Sequence, residues 1–175
     1  MANLQVNYQP LPSVYVLDNP SSCDHRGDFT KFFHATNLAQ QGISFTPAES
    51  FLTRSKIGVL RGMHFQIGVA AHKKLVTCVK GRVLDVIVDI NPNSQYFNQP
   101  FSVELSEKKN ISLLIDKNYA HGFLALDDDS WMLYSTSTMH DHSLDKGILW
   151  SSINFNWPII NPILSARDKA HPGIG

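Results

Sequence analysis

The chain has 175 residues, of which 43% are hydrophobic, and this predicts one domain with a sizeable core over residues 1–175. Lys+Arg and Asp+Glu each number 15, a balance that argues against a nucleic-acid-binding protein. No apolar run reaches the roughly 20 residues of a membrane helix, and residues 1–10 lack a signal-peptide pattern. We therefore expect no membrane contact. Cys23 and Cys78 are far apart and not in metal-ligand spacing, so we expect a reduced, cytoplasmic protein.

Residues 35–41 favour a short helix, and the segments beyond it are typical of strands separated by polar turns. The strand signals are short runs rich in Val, Leu and Ile at 74–79, 82–90, 101–105, 111–115, 122–126 and 131–136. Many short strands at this spacing predict an all-β sandwich or barrel rather than alternating strands and helices. We expect the irregular tail at 161–175 to pack over the β core.

Side chains along 82–90 alternate between two faces. One face is wholly apolar, and we expect it to form a wall of the core: Leu84, Val86, Val88 and Ile90. The other face includes two aspartates: Val83, Asp85, Ile87 and Asp89.

The densest cluster of chemically active residues is the segment 61–66, Arg-Gly-Met-His-Phe-Gln. In a strand, His64 and Gln66 share one face, and Arg61 lies at the strand entry. Polar side chains on an otherwise apolar strand are costly to bury without a function. The segment is therefore the first candidate for an active site.

A metal site is the rival interpretation of this strand. Metal-binding cupins place two histidines two residues apart on such a strand, but the second position here is Gln66, a poor ligand for transition metals. His72 lies outside that spacing, beside Lys73 and Lys74, whose charges oppose a cation. We expect no metal.

Four other segments carry candidate residues whose simplest interpretations are structural. His121 in the segment 120–123 fits a turn, and Tyr134 fits an aromatic side chain in a sheet. Asp168 in 167–168 fits a solvated turn, and Arg26 in 24–27 fits an ordinary turn.

Together, these motifs resemble the dTDP-4-dehydrorhamnose 3,5-epimerase family in their order and spacing over nearly the whole chain. The matching stretches are 24–27, 58–66, 74–76, 81–86 through Asp89, 120–123, Tyr134, 157–158 and 164–168. The resemblance implies a cupin-like jelly-roll β-sandwich with short helical segments, which works as a homodimer without a cofactor. The implied substrate is a nucleoside-diphosphate 4-keto-6-deoxy hexose, used in deoxysugar biosynthesis for a surface polysaccharide such as O-antigen or for a glycosylated metabolite.

The chemistry of this family explains the residue types it needs. A ketone at carbon 4 acidifies the protons on carbons 3 and 5, and reprotonation from the opposite face inverts the centre. Such a reaction requires a base, an acid on the other face, and a cation or donor at the enolate oxygen.

The resemblance assigns a role to each matching residue. The implied catalytic residues are the base His64, its orienting partner Asp168, the enolate-stabilising Lys74 and the acid Tyr134. The implied substrate-binding residues are Arg26 and Arg61 at the diphosphate, with Gln66 and His121 in the active site.

The chain departs from the family pattern at further substrate-binding positions. Lys31 replaces a glutamate, Glu49 and Phe51 replace a Gln-x-Asn pair, and His140 replaces a second tyrosine. These changes predict that the nucleotide base is not exclusively deoxythymidine, and that the change at His140 affects which carbon is inverted.

Two alternatives use the same scaffold. A non-catalytic sugar-nucleotide-binding module would keep the arginine and aromatic contacts but lose the base or the acid. A ketoisomerase or single-centre epimerase would use the same proton abstraction with different reprotonation. Because the catalytic set implied by the resemblance is complete, the sequence favours turnover.

Overall fold

The computed structural model describes residues 3–175, which form mostly β-strands. The strands are β1 (Gln5–Leu11), β2 (Val14–Asp18), β3 (Ser21–Asp24), β4 (Gly27–Thr30), β5 (Glu49–Ser55), β6 (Leu60–Gln66), β7 (Lys74–Lys80), β8 (Arg82–Asp89), β9 (Pro100–Ser106), β10 (Ile111–Ile115), β11 (Tyr119–Ala125), β12 (Ser130–Thr136) and β13 (Asp145–Gly147). The helices are α1 (Ala35–Gln40) and α2 (Ala166–Lys169), with 3-10 turns at Gly68–Ala70 and Trp150–Ser152.

The strands form two large antiparallel sheets that pack face to face. One sheet has six strands in the order β1-β2-β10-β7-β12-β5, and the other has five in the order β13-β6-β11-β8-β9. Strands β3 and β4 pair only with each other, in a hairpin whose turn holds Arg26. The predicted all-β sandwich, the helix after residue 35 and the turn at 24–27 are confirmed.

The core between the sheets draws side chains from both of them. It includes Val76 on β7 and Met132 on β12 from one sheet, and Ile87 on β8 and Phe123 on β11 from the other. The expectation that the apolar face of 82–90 forms a wall of the core is confirmed, because Val86 and Val88 belong to a second buried cluster. The face that carries Asp85 is buried as well, and it is the one that points between the sheets. A strand in a sheet covered on both sides is buried on both faces, so the wholly apolar face does not identify the inner one.

The wholly apolar face of β8 points away from the other sheet and is covered by the C-terminal part of the chain. Val86 and Val88 pack there with Ile153, Trp157 and Ile174. The tail also joins the sheet edge, where the Leu60 amide donates to the Ile163 carbonyl at 3.0 Å. The predicted packing of the tail over the β core is confirmed.

A smaller apolar cluster covers the outer face of the six-stranded sheet. Leu38 of α1 packs there with Phe45, Leu75 and Leu114. The side chain of His34 caps α1 by accepting from the Asn37 amide. Because both outer faces are covered, the remaining approach to the sandwich interior is from its ends.

Strand β11 begins earlier than the predicted strand at 122–126. Tyr119 is its first residue, so His121 lies within the strand and not in a turn. Its register places His121 opposite His64 on β6.

No helix among residues 3–175 is long and apolar enough to cross a membrane.

Candidate active site

A cavity of about 230 Å³ opens between the two sheets at one end of the sandwich. Its walls come from β5, β6, β7, β11, β12, β13 and the first turn of α2. The lining residues are Glu49, Phe51, Thr53, Arg61, His64, Phe65, Gln66, His72, Lys74, His121, Tyr134, Thr136, His140, Asp145 and Arg167. Most of the side chains singled out in the sequence therefore meet in one place.

His64 and Asp168 form a hydrogen-bonded pair at this cavity. The distance between His64 Nε2 and Asp168 Oδ1 is 2.7 Å, and Asp168 is buried behind the histidine. Ser165 fixes Asp168 by capping α2, since its hydroxyl accepts from the Asp168 amide. Burial raises the pKa of Asp168, but the hydrogen bond and charge of His64 outweigh it and hold the pKa below its ordinary value. The carboxylate therefore stays ionised beside the imidazole.

Lys74 places a buried ammonium group next to the same histidine. Its Nζ donates to the His64 carbonyl at 2.8 Å, and the residue is 8% exposed. Burial lowers the pKa of Lys74 to about 8, against the opposing effect of the nearby carboxylates Asp145 and Asp85. Two of its three protons remain free to meet a ligand in the cavity.

His121 pairs with Asp85, a residue that sequence analysis did not assign to the site. His121 Nε2 lies 2.8 Å from Asp85 Oδ2, and the two side chains are 4% and 0% exposed. The register of β8 and β11 brings the aspartate beside the histidine from the neighbouring strand. An aspartate in the middle of an apolar strand was the signal that could have identified it, because such a group needs a partner when buried.

Tyr134 lies on the six-stranded sheet, across the cavity from the β6 histidine. Its ring stacks on Phe51 with centroids 4.8 Å apart and an interplanar angle of 8°, and His121 meets it edge-on at 6.0 Å. Burial raises the pKa of Tyr134 far above its ordinary value. The phenol thus holds its proton and can act as a donor.

Asp145 joins the cavity rim to the C-terminal helix, and it too was missed in the sequence. It accepts from Arg167 on α2 at 2.7 Å and from His140 at 3.0 Å. The His140 amide donates to Glu49 at 2.8 Å. This hydrogen bond holds the carboxylate of Glu49 at the rim. The contacts among these residues form only when the tail packs against the sheets, so no local sequence pattern reveals them.

The structure brings Arg61 and Gln66 into the cavity but leaves Arg26 and Lys31 outside it. The Arg61 guanidinium donates to Ser55 Oγ at 3.0 Å, and the Gln66 amide oxygen accepts from Asp141. The Arg26 side chain is 79% exposed and pairs with Asp24. Lys31 follows the β3–β4 hairpin, and its amide donates to the Pro20 carbonyl.

His171 stands next to the His64–Asp168 pair, and sequence analysis did not single it out. Its ring centroid lies 5.6 Å from that of His64, and its Nε2 lies 3.7 Å from Asp168 Oδ1. Burial, together with the charges of His64 and Arg167, lowers the pKa of His171. These three side chains are the group of potential metal ligands found within residues 3–175.

We expect Lys74 to titrate near pH 8, because its ammonium is buried at the cavity. The unfolded chain then binds more protons between pH 8 and about 10.5, so this residue's contribution to the free energy of unfolding rises over that interval. NMR of ¹³C-labelled lysine side chains, with the signal assigned by Lys74→Arg, measures the pKa directly. A midpoint near 10.5 would contradict the inferred burial of the charge.

Comparison with known proteins agrees with this geometry. Residues 8–175 match the family model described as dTDP-4-dehydrorhamnose 3,5-epimerase. The dTDP-4-dehydrorhamnose 3,5-epimerase of Shigella flexneri is 37% identical over 161 residues, which cover 90% of this chain and 89% of the relative.

Solved structures give the same answer for the fold. The dTDP-4-dehydrorhamnose 3,5-epimerase of Bacillus anthracis, crystallised with TDP and PPi, superposes with a TM-score of 0.94 at 29% identity, covering 98% of this chain and 99% of that one. A 3'-monoepimerase from Streptomyces bikiniensis superposes with a TM-score of 0.87 at 26% identity, covering 93% of this chain and 84% of that one. The predicted cupin-like jelly roll and the predicted enzyme class are confirmed, and the chain belongs to the dTDP-4-dehydrorhamnose 3,5-epimerase family of isomerases.

Proposed function

We propose that the protein epimerises carbon 3, carbon 5 or both in a dTDP-linked 4-keto-6-deoxy hexose, without a cofactor. The observation that carries this proposal is the His64–Asp168 pair facing Lys74 and Tyr134 in one cavity. A base, a cation and a proton donor are the three groups that inversion beside a ketone requires.

His64 is the base in this mechanism. Its Nε2 is engaged with Asp168 at 2.7 Å, so Nδ1 is the ring nitrogen left to take a proton from the sugar. The C–H electron pair moves into the ring to form the enolate, and Asp168 stabilises the imidazolium that results. The carboxylate also fixes the tautomer in which Nδ1 carries the lone pair.

Lys74 stabilises the negative charge that develops on the carbon 4 oxygen. Its ammonium is buried, where a charge interacts more strongly than in water. One of its N–H groups donates a hydrogen bond to the His64 carbonyl. This contact aims the ammonium at the ketone beside the base. A neutral amine would lose most of this effect, so the lowered pKa of Lys74 also limits activity on the alkaline side.

Tyr134 donates its own phenolic proton to the carbon from the other side of the sugar. The resulting phenolate regains a proton from solvent and the His64 imidazolium loses one to solvent, which restores both groups for the next turnover. Tyr134 belongs to β12 of the six-stranded sheet, whereas His64 belongs to β6 of the five-stranded sheet. A sugar between them presents opposite ring faces to the two groups, so abstraction by one and delivery by the other inverts the centre. His121, held by Asp85, packs on the Tyr134 ring and orients it.

Arg61 supports binding of the diphosphate, because its planar guanidinium at the cavity mouth suits phosphate oxygens. The nucleotide is proposed from relatives named for dTDP sugars. The expectation that the nucleobase is not exclusively thymine stays a prediction. Glu49 and Phe51, on which it rests, line the cavity.

We further propose a cytoplasmic homodimer that serves the synthesis of a surface polysaccharide or a glycosylated metabolite. Both cysteines are free thiols, which suits a reducing compartment. Strand β5 is the last strand of its sheet, and Leu52 on it is 49% exposed. Phe29 on the β3–β4 hairpin is 57% exposed. Such edges and apolar side chains are normally covered by a partner.

A homodimer also accounts for the position of Arg26 and Lys31. Both lie outside the cavity of their own chain, on or beside the projecting hairpin. In the dimer that we propose, this hairpin crosses to the partner subunit and brings its cations to the nucleotide there. Each active site then uses residues from two chains.

Replacement of the proposed base tests the mechanism. We expect His64→Ala to slow solvent-deuterium exchange into carbons 3 and 5 about a hundred- to ten-thousandfold, because a positioned general base contributes that much. Mass spectrometry and NMR of the sugar in heavy water measure the exchange at each carbon. Calorimetry should show that the nucleotide sugar still binds.

Two further variants sharpen this experiment. His142→Ala removes an exposed histidine outside the cavity and should exchange at the wild-type rate. Tyr134→Phe should still wash deuterium in at a centre but invert it slowly, because the opposite donor is missing. The same spectra count the centres that react. Exchange by His64→Ala at the wild-type rate would refute the proposed base.

The shared active site is tested by complementation. His64→Ala and Arg26→Ala chains each have low activity alone, but a heterodimer of the two contains one site with both residues intact. With random pairing, about a quarter of the wild-type activity should return, since half of the dimers are mixed and each has one complete site. Light scattering checks the dimer mass.

A concentration-independent monomer in light scattering would contradict the homodimer. Mixed dimers without any regained activity would instead show that Arg26 serves its own chain.

A further inference from the structure

His171 occupies space that the sheet leaves open beside the proposed base. In the register of β13 and β6, Gly147 stands opposite His64. A Cβ atom at Gly147 would collide with the His171 ring, whose Cδ2 and Cε1 would each be 2.6 Å away. The glycine has no unusual φ angle in its favour, so its role here is to admit the imidazole from the tail.

The Nε2 atom of His171, which lies against Gly147 and close to Asp168, has no hydrogen-bond partner among residues 3–175. His171 Nε2 is buried and unpaired in the described structure, and the side chain is 11% exposed. A buried polar atom left without a partner is costly to the folded protein. Its nearest carboxylate oxygen, Asp168 Oδ1, is 3.7 Å away, beyond hydrogen-bonding distance.

Three ligand-type atoms converge at this point. His64 Nε2, Asp168 Oδ1 and His171 Nε2 all lie within 4.8 Å of one another. Ligand atoms around a tetrahedral zinc ion lie about 3.3 Å apart. The two separations from Asp168 Oδ1, 2.7 and 3.7 Å, lie on either side of that value, and the two Nε2 atoms lie within 4.8 Å of each other.

We propose that His64, Asp168 and His171 form an inhibitory binding site for zinc, with the fourth position of the ion open to the cavity. Two imidazoles and one carboxylate match zinc better than magnesium, which prefers oxygen ligands alone. His64 is 29% exposed, so the ion enters through the cavity that admits the sugar. This site differs from the two-histidine strand motif of metal cupins, because its second histidine comes from the tail.

Zinc at this site stops the base from working. The ion binds Nε2, so the proton of the neutral imidazole moves from Nε2 to Nδ1, the nitrogen that would otherwise accept the proton of the sugar. The imidazole also loses the hydrogen bond to the Asp168 oxygen that orients it. The charge of the ion also disfavours the imidazolium that forms when His64 accepts a proton. The inhibitory effect rests on the proposed function of His64, whereas the binding of the ion does not.

Direct binding is the first arm of the test. Chelator-treated protein is titrated with Zn²⁺ by calorimetry, and with Co²⁺ by visible absorption as a spectroscopic probe of the same ligands. We expect one ion per chain, with magnesium failing to compete. His171→Ala should weaken Zn²⁺ binding at least about tenfold, since the loss of even supporting groups costs that much. Gly147→Ala, which displaces the His171 ring, should act in the same direction.

A matched control separates this site from the surface histidines. The rings of His140 and His142 lie 6.4 Å apart near the rim, and a pair of this kind can bind zinc adventitiously. His142→Ala should leave binding unchanged. Thermal melts confirm that each variant is folded, and His171→Gln replaces His171→Ala if that variant melts early.

The second arm of the test is an epimerase assay. The rate of each variant with Zn²⁺ is compared with its own rate without zinc. Wild-type enzyme should lose activity as Zn²⁺ is added and regain it with chelator, while His171→Ala resists. Unchanged affinity in folded His171→Ala, or loss of binding in His142→Ala, would overturn the proposal. If Zn²⁺ binds through His171 but the protein turns over no sugar, the proposed function fails and the metal site stands.

Discussion

The hydrogen bond between His64 and Asp168 is the interaction on which the rest of the site depends. The two residues are 104 positions apart in the chain, so the contact forms only after the tail has crossed the outer face of the five-stranded sheet. The apolar contacts of Trp157 and Ile174 with that face hold the tail in place. Asp145 and Arg167 fix the start of α2 from the other side. Packing at a distance from the cavity therefore sets the geometry of the proposed base.

A second constraint is the burial of polar groups inside an apolar sandwich. Asp85, His121 and Lys74 are almost inaccessible to solvent, and each would destabilise the fold if it stood alone. They are tolerated because they pair with one another or with the backbone, and because the apolar core beside them is extensive. Burial also changes the acidity of groups in the cavity: it lowers the pKa of Lys74 to about 8, and it raises the pKa of Tyr134, which keeps its proton. A group that served packing alone would be replaced by an apolar side chain at less cost.

Much of the fold and part of the site follow from the sequence. The alternation of apolar and polar residues, together with the turn residues, predicts the sandwich and the shared face of His64 and Gln66. The order of the motifs identifies the family. Local patterns failed where the answer depends on what lies on the far side of a sheet. Both faces of β8 are buried, so alternation alone does not tell which of them meets the other sheet. Asp85, Asp145 and His171 join the site through strand register or the returning tail, which no local periodicity encodes.

In the proposed mechanism, Asp168 gives His64 its tautomer and stabilises its positive charge. The most direct test is solvent-deuterium exchange into the sugar by Asp168→Asn, which keeps the size of the side chain but removes its charge. We expect the exchange rate to fall about a hundredfold or more, with the fold and the binding of the nucleotide sugar retained. Exchange at the wild-type rate in a folded Asp168→Asn protein would contradict this mechanism.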